Sequence, residues 1–212
     1  MPKTSQELYT FEHPPLLIVI AGTSGSGKDS VVKALVKRLE SSEHPVHFVI
    51  TATSRSMRED EVHGVDYYFV TKEEFERMIA HGELLEYATV YGQYKGVPKE
   101  QVQQAMDCGK DVIMRLDVQG ASTIRQLAPE ALLIFLTAPS EQDLIDRLRG
   151  RKTEDPEQLK LRLETAYAEM QRIDEFDYVV PNATGKLDQT VDIIQAIITA
   201  EKHRTNPRRA RL

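Results

Sequence analysis

Residues 22–28 read Gly-Thr-Ser-Gly-Ser-Gly-Lys and fit the pattern G-x-x-x-x-G-K of a phosphate-binding loop. An apolar run typical of a buried strand precedes the loop, and a stretch with helical spacing follows it. Glycines let backbone N–H groups curl around phosphate oxygens without interference from Cβ atoms, and a lysine supplies an ammonium for the β- and γ-phosphates. We therefore predict that a nucleoside triphosphate is bound by Gly22, Thr23, Ser24, Gly25, Ser26, Gly27, Lys28, Asp29 and Ser30.

The position after the lysine departs from the pattern. The motif has Ser or Thr there, whose hydroxyl ligates Mg²⁺, whereas this chain has Asp29 followed by Ser30. Carboxylate oxygen is a good ligand for Mg²⁺, so one hypothesis is that Asp29 helps to hold the metal, directly or through water. The other hypothesis is that Asp29 only caps the helix and offsets its dipole. The sequence leaves both open.

Two arginines, Arg55 and Arg58, stand three residues apart at the end of a predicted strand over residues 46–53. Two guanidinium groups on one short loop suit a second phosphate, which they can bind with forked hydrogen bonds. A pair of solvated surface arginines is the alternative, and the loop taken alone favours that alternative.

The elements that must position these side chains alternate along the chain. Predicted strands cover residues 16–21, 46–53, 112–118, 132–138 and 178–180, and predicted helices cover residues 30–39, 98–108, 120–127, 140–149 and 186–202. Such alternation predicts a parallel sheet with helices on both faces. Two stretches interrupt this alternation of strands and helices. The first is residues 54–97, where a capped helix over residues 72–81 lies between short strands, and the second is the charge-dense stretch of residues 147–162. Both are predicted to be inserts on one core.

The composition excludes several classes of protein. With 212 residues, 41 % of them apolar, the chain suits one compact domain, and no apolar run reaches the ~20 residues that a bilayer crossing needs. The net charge of −6 argues against a general nucleic-acid binder, and Cys108 is the single cysteine. Residues 1–13 resemble no leader, so we expect a cytoplasmic protein with no membrane partner. The basic residues after 201 are expected to form a solvated tail.

Six motifs follow one another in the order and at the spacing typical of one enzyme family. They are the phosphate loop, the arginine segment 51–58, Glu61 with residues 64–70, residues 82–87, residues 117–121, and the arginine-bearing residues 147–154. On these motifs the chain from about residue 15 to residue 200 resembles guanylate kinase.

The resemblance implies a three-layer α/β/α fold built on a parallel P-loop sheet, with a mixed α/β insert that binds the nucleoside monophosphate and a small lid. The implied core comprises residues 15–49, 98–139 and 167–200, the insert residues 50–97, and the lid residues 140–166. Residues 1–14 and 201–212 are tails, and the protein is expected to be a monomer or a homodimer.

The resemblance also implies transfer of the γ-phosphoryl group of ATP to GMP or dGMP, with Mg²⁺. GMP would be bound by Thr51, Arg55, Arg58, Tyr67, Glu86, Lys95 and Asp117, with Glu86 accepting hydrogen bonds from guanine. Charge on the transferring group would be neutralised by Lys28, Arg55, Arg147, Arg151 and Arg162. Little covalent chemistry is asked of the protein, because positioning and electrostatic stabilisation carry phosphoryl transfer.

Several positions depart from the family's common pattern, including Met57 and Asp60, which stand where proline and glycine are usual. Lys95 replaces a tyrosine, Val97 replaces a hydroxyl residue, and Arg115 stands where an acidic residue is common. They indicate a variant acceptor pocket and leave the exact acceptor open. One alternative is a related P-loop kinase for another phosphorylated acceptor, such as a dAMP-like nucleotide or a ribose bisphosphate. The other is a non-catalytic module that grips phosphorylated peptides.

Overall fold

The computed structural model describes residues 13–40, 46–90, 92–149 and 156–212. Its strands are β1 (Leu17–Gly22), β2 (Val46–Phe48), β3 (Ala52–Thr53), β4 (Tyr68–Phe69), β5 (Leu84–Val90), β6 (Gln93–Pro98), β7 (Asp111–Arg115), β8 (Leu132–Thr137) and β9 (Tyr178–Pro181). Its helices are α1 (Lys28–Leu39), α2 (Lys72–Ala80), α3 (Lys99–Asp107), α4 (Val118–Leu127), α5 (Glu141–Arg149), α6 (Pro156–Met170) and α7 (Leu187–Lys202). None of these helices has the length and apolar character that crossing a membrane requires.

Five strands form a parallel sheet in the order β2-β7-β1-β8-β9. Neighbouring side chains of β1 point to opposite faces, so Ile18 and Ile20 pack with α1 and α7 in one hydrophobic cluster. Leu17 and Val19 pack with α3 and α4 in the other. The predicted three-layer α/β fold with a parallel sheet is therefore confirmed.

A second, four-stranded sheet in the order β4-β3-β6-β5 lies across the carboxyl end of this core. The single strand predicted over residues 46–53 is wrong, because β2 belongs to the parallel sheet and β3 to the second sheet. The chain changes partners between them: the N–H of Val49 still bonds Ile113 of the core, whereas the carbonyl of Thr51 accepts from Tyr68. Strand β6, which sequence patterning did not predict, pairs with β5.

Two N-caps were visible in the sequence. Thr71 accepts from the N–H of Glu74 at the start of α2, and Ser140 accepts from the N–H of Asp143 ahead of α5. The predicted strand over residues 112–118 ends earlier, at Arg115, because Asp117 is itself the N-cap of α4.

A helix that the sequence analysis did not predict, α6, begins within the charge-dense segment and continues beyond it to Met170. It packs on α5 through Leu144, Leu148 and Ala166. The last residues also differ from the expected solvated tail, because the guanidinium of Arg208 is only 11 % exposed and contacts Glu201 and Asp177. Arg208 therefore packs against the folded domain through ion pairs and does not belong to a solvated tail.

Candidate active site

A cleft opens where the carboxyl ends of β1 and β7 face the second sheet, the usual ligand-binding place in open parallel sheets. Most residues predicted to bind either nucleotide line this one cleft: Gly22, Thr23, Ser24, Gly25, Gly27, Lys28, Asp29, Ser30, Thr51, Arg55, Arg58, Tyr67, Glu86, Lys95 and Asp117. Ser26, in the same loop, is fully buried and does not line the cleft. Of the three arginines predicted to lie in a lid, Arg147 and Arg162 do not line the cleft, and Arg151 lies outside the described residues.

The phosphate loop is supported by a hydrogen bond from Asn182. Gly27, the N-cap of α1, has φ +85°, a conformation that favours glycine. The Nδ2 atom of Asn182 donates a 2.8 Å hydrogen bond to the carbonyl of Ser26, and a Cβ on Gly27 would lie 2.5 Å from that Nδ2. Arg147 in turn donates to the carbonyl of Asn182 at 2.6 Å. Arg147 therefore holds Asn182, which in turn supports the phosphate loop.

The side chain of Lys28 folds over the loop and donates to the carbonyls of Gly22 and Thr23. Burial lowers the pKa of Lys28 to about 8, against the opposing effect of the nearby Glu169 carboxylate. Glu169, on α6, lines the cleft and accepts from the backbone N–H of Ser24, and burial raises its pKa. The sequence analysis missed Glu169, because nothing marks one glutamate on an amphipathic helix as facing a loop far away in sequence.

On the opposite wall, Glu61 orients the predicted phosphate-binding arginines. It forms a two-pronged ion pair with Arg55, whose Nη1 lies 2.6 Å from one carboxylate oxygen, and accepts from the N–H of Arg58 at 2.9 Å. The guanidinium of Arg55 lies 4.9 Å from the ring centroid of Tyr67, which is half-buried beside it. Arg55 is therefore preorganised with its face against an aromatic ring.

Two further cations approach the same ring. The Nζ atom of Lys95 lies 6.0 Å from the ring centroid of Tyr67, and burial lowers the pKa of Lys95. Arg115, which the sequence marked only as unusual, lies 4.7 Å from that centroid. Three cationic side chains therefore surround one aromatic ring on this wall of the cleft.

Glu86 lies on β5 at a bulge in its pairing with β6, and only 5 % of it is exposed. Burial raises the pKa of Glu86 to about 8, and the negative charge of Asp117 adds to the shift. Thr51 lines the same part of the cleft. Val97 is fully buried in the core cluster and offers no group to this cleft.

No group of three or more histidine, cysteine or acidic side chains in the described part of the chain could enclose a metal ion. Mg²⁺ in kinases needs no such cage, since one or two carboxylates plus substrate phosphates suffice. Asp29, whose side chain is 61 % exposed, and Asp117 both line the cleft. The donor set therefore fits a Mg²⁺ ion that arrives with a nucleotide.

The chain matches the family model described as guanylate kinase over residues 15–201. It is 50 % identical to guanylate kinase 2, chloroplastic/mitochondrial, of Oryza sativa over 92 % of this chain and 67 % of that protein. It is 42 % identical to the guanylate kinase of Clostridium tetani over 90 % of this chain and 88 % of that protein. The crystal structure of guanylate kinase from Anaplasma phagocytophilum superposes with a TM-score of 0.73 at 27 % identity, covering 92 % and 90 % of the two chains.

Proposed function

The chain belongs to the guanylate kinase family and transfers the γ-phosphoryl group of ATP to GMP, and on that premise we propose which of its residues carry out the reaction. The single observation behind the assignment is that Lys28 of the phosphate loop and Glu86 of the second sheet line the same cleft. With the triphosphate of ATP at Lys28 and the guanine base of GMP at Glu86, the γ-phosphate of ATP and the phosphate of GMP would meet between these two residues.

The donor half would bind ATP through the backbone N–H groups of residues 22–30, with Lys28 on the β- and γ-phosphates. The Lys28 ammonium donates to two loop carbonyls, those of Gly22 and Thr23. Phosphate oxygens would replace those carbonyls as partners. The nearby negative charge would favour the charged form of Lys28 and raise its pKa from about 8.

The acceptor half would hold the phosphate of GMP with Arg55, Arg58, Tyr67 and Lys95. Glu86 would accept hydrogen bonds from N1–H and the 2-amino group of guanine, with Thr51 beside it. Adenine cannot offer those two donors to a carboxylate. Glu86 would therefore distinguish guanine from adenine, provided that its side chain is ionised and correctly placed.

Mg²⁺, held by Asp29 or Asp117 together with phosphate oxygens, would supply charge neutralisation between the two substrates. Lys28 and Arg55 would stabilise the transferring group from opposite sides, and Arg147, Arg151 and Arg162 would act from the lid, residues 140–166, as it closes over ATP. The division into core, insert (50–97) and lid is part of this proposal. So are a cytoplasmic location, a monomer or homodimer, and the absence of a nucleic-acid partner.

A coupled assay of ADP release tests the proposal, with GMP, dGMP, AMP and a ribose phosphate as acceptors. We expect GMP to be the preferred acceptor for the wild type and Glu86→Gln to lose much of the preference for guanine over adenine. An inert GMP, with turnover of ribose phosphate, would instead support the related-kinase alternative. An unchanged preference in Glu86→Gln would remove that residue from its proposed role.

A further inference from the structure

Arg115 is a buried cation at the junction of the two halves of the cleft. It is the last residue of β7, pairs in register with Ile20 of β1, and is 7 % exposed. Its side chain leaves the sheet at the edge where the phosphate loop begins and lines the cleft. Burying an arginine without a partner would cost a large amount of folding free energy. The contacts of Arg115 therefore indicate its role.

Both ends of the Arg115 guanidinium are fixed by different parts of the chain. Nη1 lies 3.0 Å from Oδ1 of Asp29 on α1, and Nη2 donates to the carbonyl of Asp66 at 3.1 Å. Asp66 is anchored in its turn, since its carboxylate pairs with Lys33 at 2.5 Å and accepts from the N–H of Val62. The guanidinium is therefore held between the donor helix and the acceptor wall.

Arg115 and Arg55 lie at similar distances from the ring of Tyr67. The two guanidinium carbons lie 4.7 and 4.9 Å from the Tyr67 ring centroid, and the Lys95 ammonium lies 6.0 Å from it. Glu61 pairs with Arg55 and Asp29 pairs with Arg115, so each guanidinium already has one carboxylate partner. A dianionic phosphate placed among the two guanidiniums and the ammonium would attract all three, because attraction between opposite charges adds over the pairs. The wall of the cleft therefore presents Arg115 to the acceptor phosphate together with Arg55 and Lys95.

Arg115 also retains hydrogen-bonding capacity. An arginine carries five N–H donors in a planar fork, and the contacts with Asp29 and Asp66 use two of them. The remaining donors belong to a side chain that lines the cleft.

We propose that Arg115 binds the phosphate of GMP as an additional guanidinium beside Arg55 and Arg58, and that Asp29 is the positioning residue that aims it. Asp29 thus has a task on the acceptor side as well as at the phosphate loop on which it stands. The proposal rests on the proposed acceptor site. It differs from a magnesium role for Asp29, because it requires Asp29 to affect GMP in the absence of ATP and metal.

The test measures the dissociation constants of guanosine and GMP without ATP or Mg²⁺, and the ratio of the guanosine constant to the GMP constant reports the contribution of the phosphate. Arg115→Met is expected to lower this ratio roughly 10- to 100-fold, as loss of a charge-assisted hydrogen bond does, with little change for guanosine. Arg38→Met, on α1 but paired with Asp188 and Asp192, is the matched control and should leave the ratio unchanged. An unchanged ratio in folded Arg115→Met overturns the proposal.

A second pair of variants tests the positioning role and remains decisive if Arg115→Met fails to fold. Asp29→Ala and Asp29→Asn both remove the charge, but only Asn can still accept a hydrogen bond from Arg115. We expect Asp29→Ala to lower the ratio several-fold more than Asp29→Asn. Equal ratios in the two variants, with an effect confined to ATP affinity, would overturn the role of Asp29. Failure of wild-type protein to bind GMP at all would instead count against the proposed function.

Discussion

The carboxylate of Glu86 lies directly against Gly120, so that a Cβ added to that glycine would stand 2.8 Å from Oε2 of Glu86. Gly120 is in the first turn of α4, and its N–H bonds the Asp117 side chain that caps the helix. The glycine is thus required by a close approach between the helix and the proposed guanine-reading side chain.

Gly120→Ala should displace Glu86 and weaken recognition of guanine. We expect KM for GMP to rise roughly tenfold or more, because small displacements of positioning groups are costly, while KM for ATP stays close to that of the wild type. Steady-state kinetics with each substrate varied in turn measures the effect. Gln119→Ala, at the exposed neighbouring position, is the control. Equal KM values for GMP in Gly120→Ala and wild type would show that the contact does not govern base binding.

Binding of GMP should release a proton. The pKa of Glu86 is raised to about 8 by burial and by Asp117, so the free protein carries the protonated acid at pH 7. Hydrogen bonds from guanine favour the carboxylate and lower this pKa, and GMP affinity should therefore rise with pH up to about 8.

Calorimetry in two buffers of different ionisation enthalpy measures the proton release directly. About one proton per GMP is expected at pH 7, falling away above pH 8. Glu86→Gln, which cannot titrate, should show none of it. Release of the same size in that variant would assign the proton to another group.

Much of the fold could be predicted from sequence because its signals are local. The apolar run before Gly22, the glycines of the loop and the N-caps at Thr71 and Ser140 each act within a few residues. The prediction of a single strand over residues 46–53 was wrong because the change of sheet in this segment is not determined by local signals. A β pattern does not say which sheet a strand joins, and the change of sheet depends on two partners, Tyr68 and Ile113, that lie 17 and 64 residues away in sequence from Thr51 and Val49.

The site divides in the same way. Lys28 is predicted from the spacing of its motif, whereas Arg55, Arg58 and Glu86 are predicted from resemblance to a family. The pair of Asp29 and Arg115 joins residues 86 positions apart, and each looked irregular by itself. Only the fold shows that the two irregularities contact each other. Glu169 carries no local signal at all, because its meeting with Ser24 depends on how α6 packs.

Asn182 should support ATP binding without touching ATP. Its Nδ2 donates to the carbonyl of Ser26, and its Oδ1 accepts from the hydroxyl of Thr190 at 3.1 Å. Asn182→Asp replaces the donor with an oxygen that repels the Ser26 carbonyl, which should distort the phosphate loop. We expect KM for ATP to rise about tenfold, with GMP affinity unchanged.

The control for this prediction is Thr190→Val, which removes the hydroxyl but leaves the bond to Ser26 intact. Its KM for ATP should stay within about twofold of the wild type. Equal effects of the two variants on ATP, or a matching loss of GMP affinity in Asn182→Asp, would point to general destabilisation.

Arg208 should contribute to folding stability although it lies near the end of the chain. Its Nε donates to Glu201 at 2.7 Å, and Glu201 is only 3 % exposed. Burial disfavours the charged form of Glu201, but hydrogen bonds from Arg208 and Tyr178 outweigh that effect, and the pKa of Glu201 is lowered. A lowered carboxylate pKa stabilises the fold above the unfolded pKa, and the contribution is lost as pH falls through the folded pKa.

Arg208→Met leaves that buried carboxylate without its main partner and should reduce the free energy of unfolding at pH 7 by about 3 kcal/mol. Arg211→Met, which removes the same charge from an exposed side chain, should change it by less than about 0.5 kcal/mol. Urea denaturation of both variants from pH 7 down to pH 4 measures the difference, which should shrink in acid as Glu201 takes up a proton. Loss of equal size in the two variants, or a difference that does not vary with pH, would mean that net charge and not the Glu201 pair sets the stability of this end of the chain.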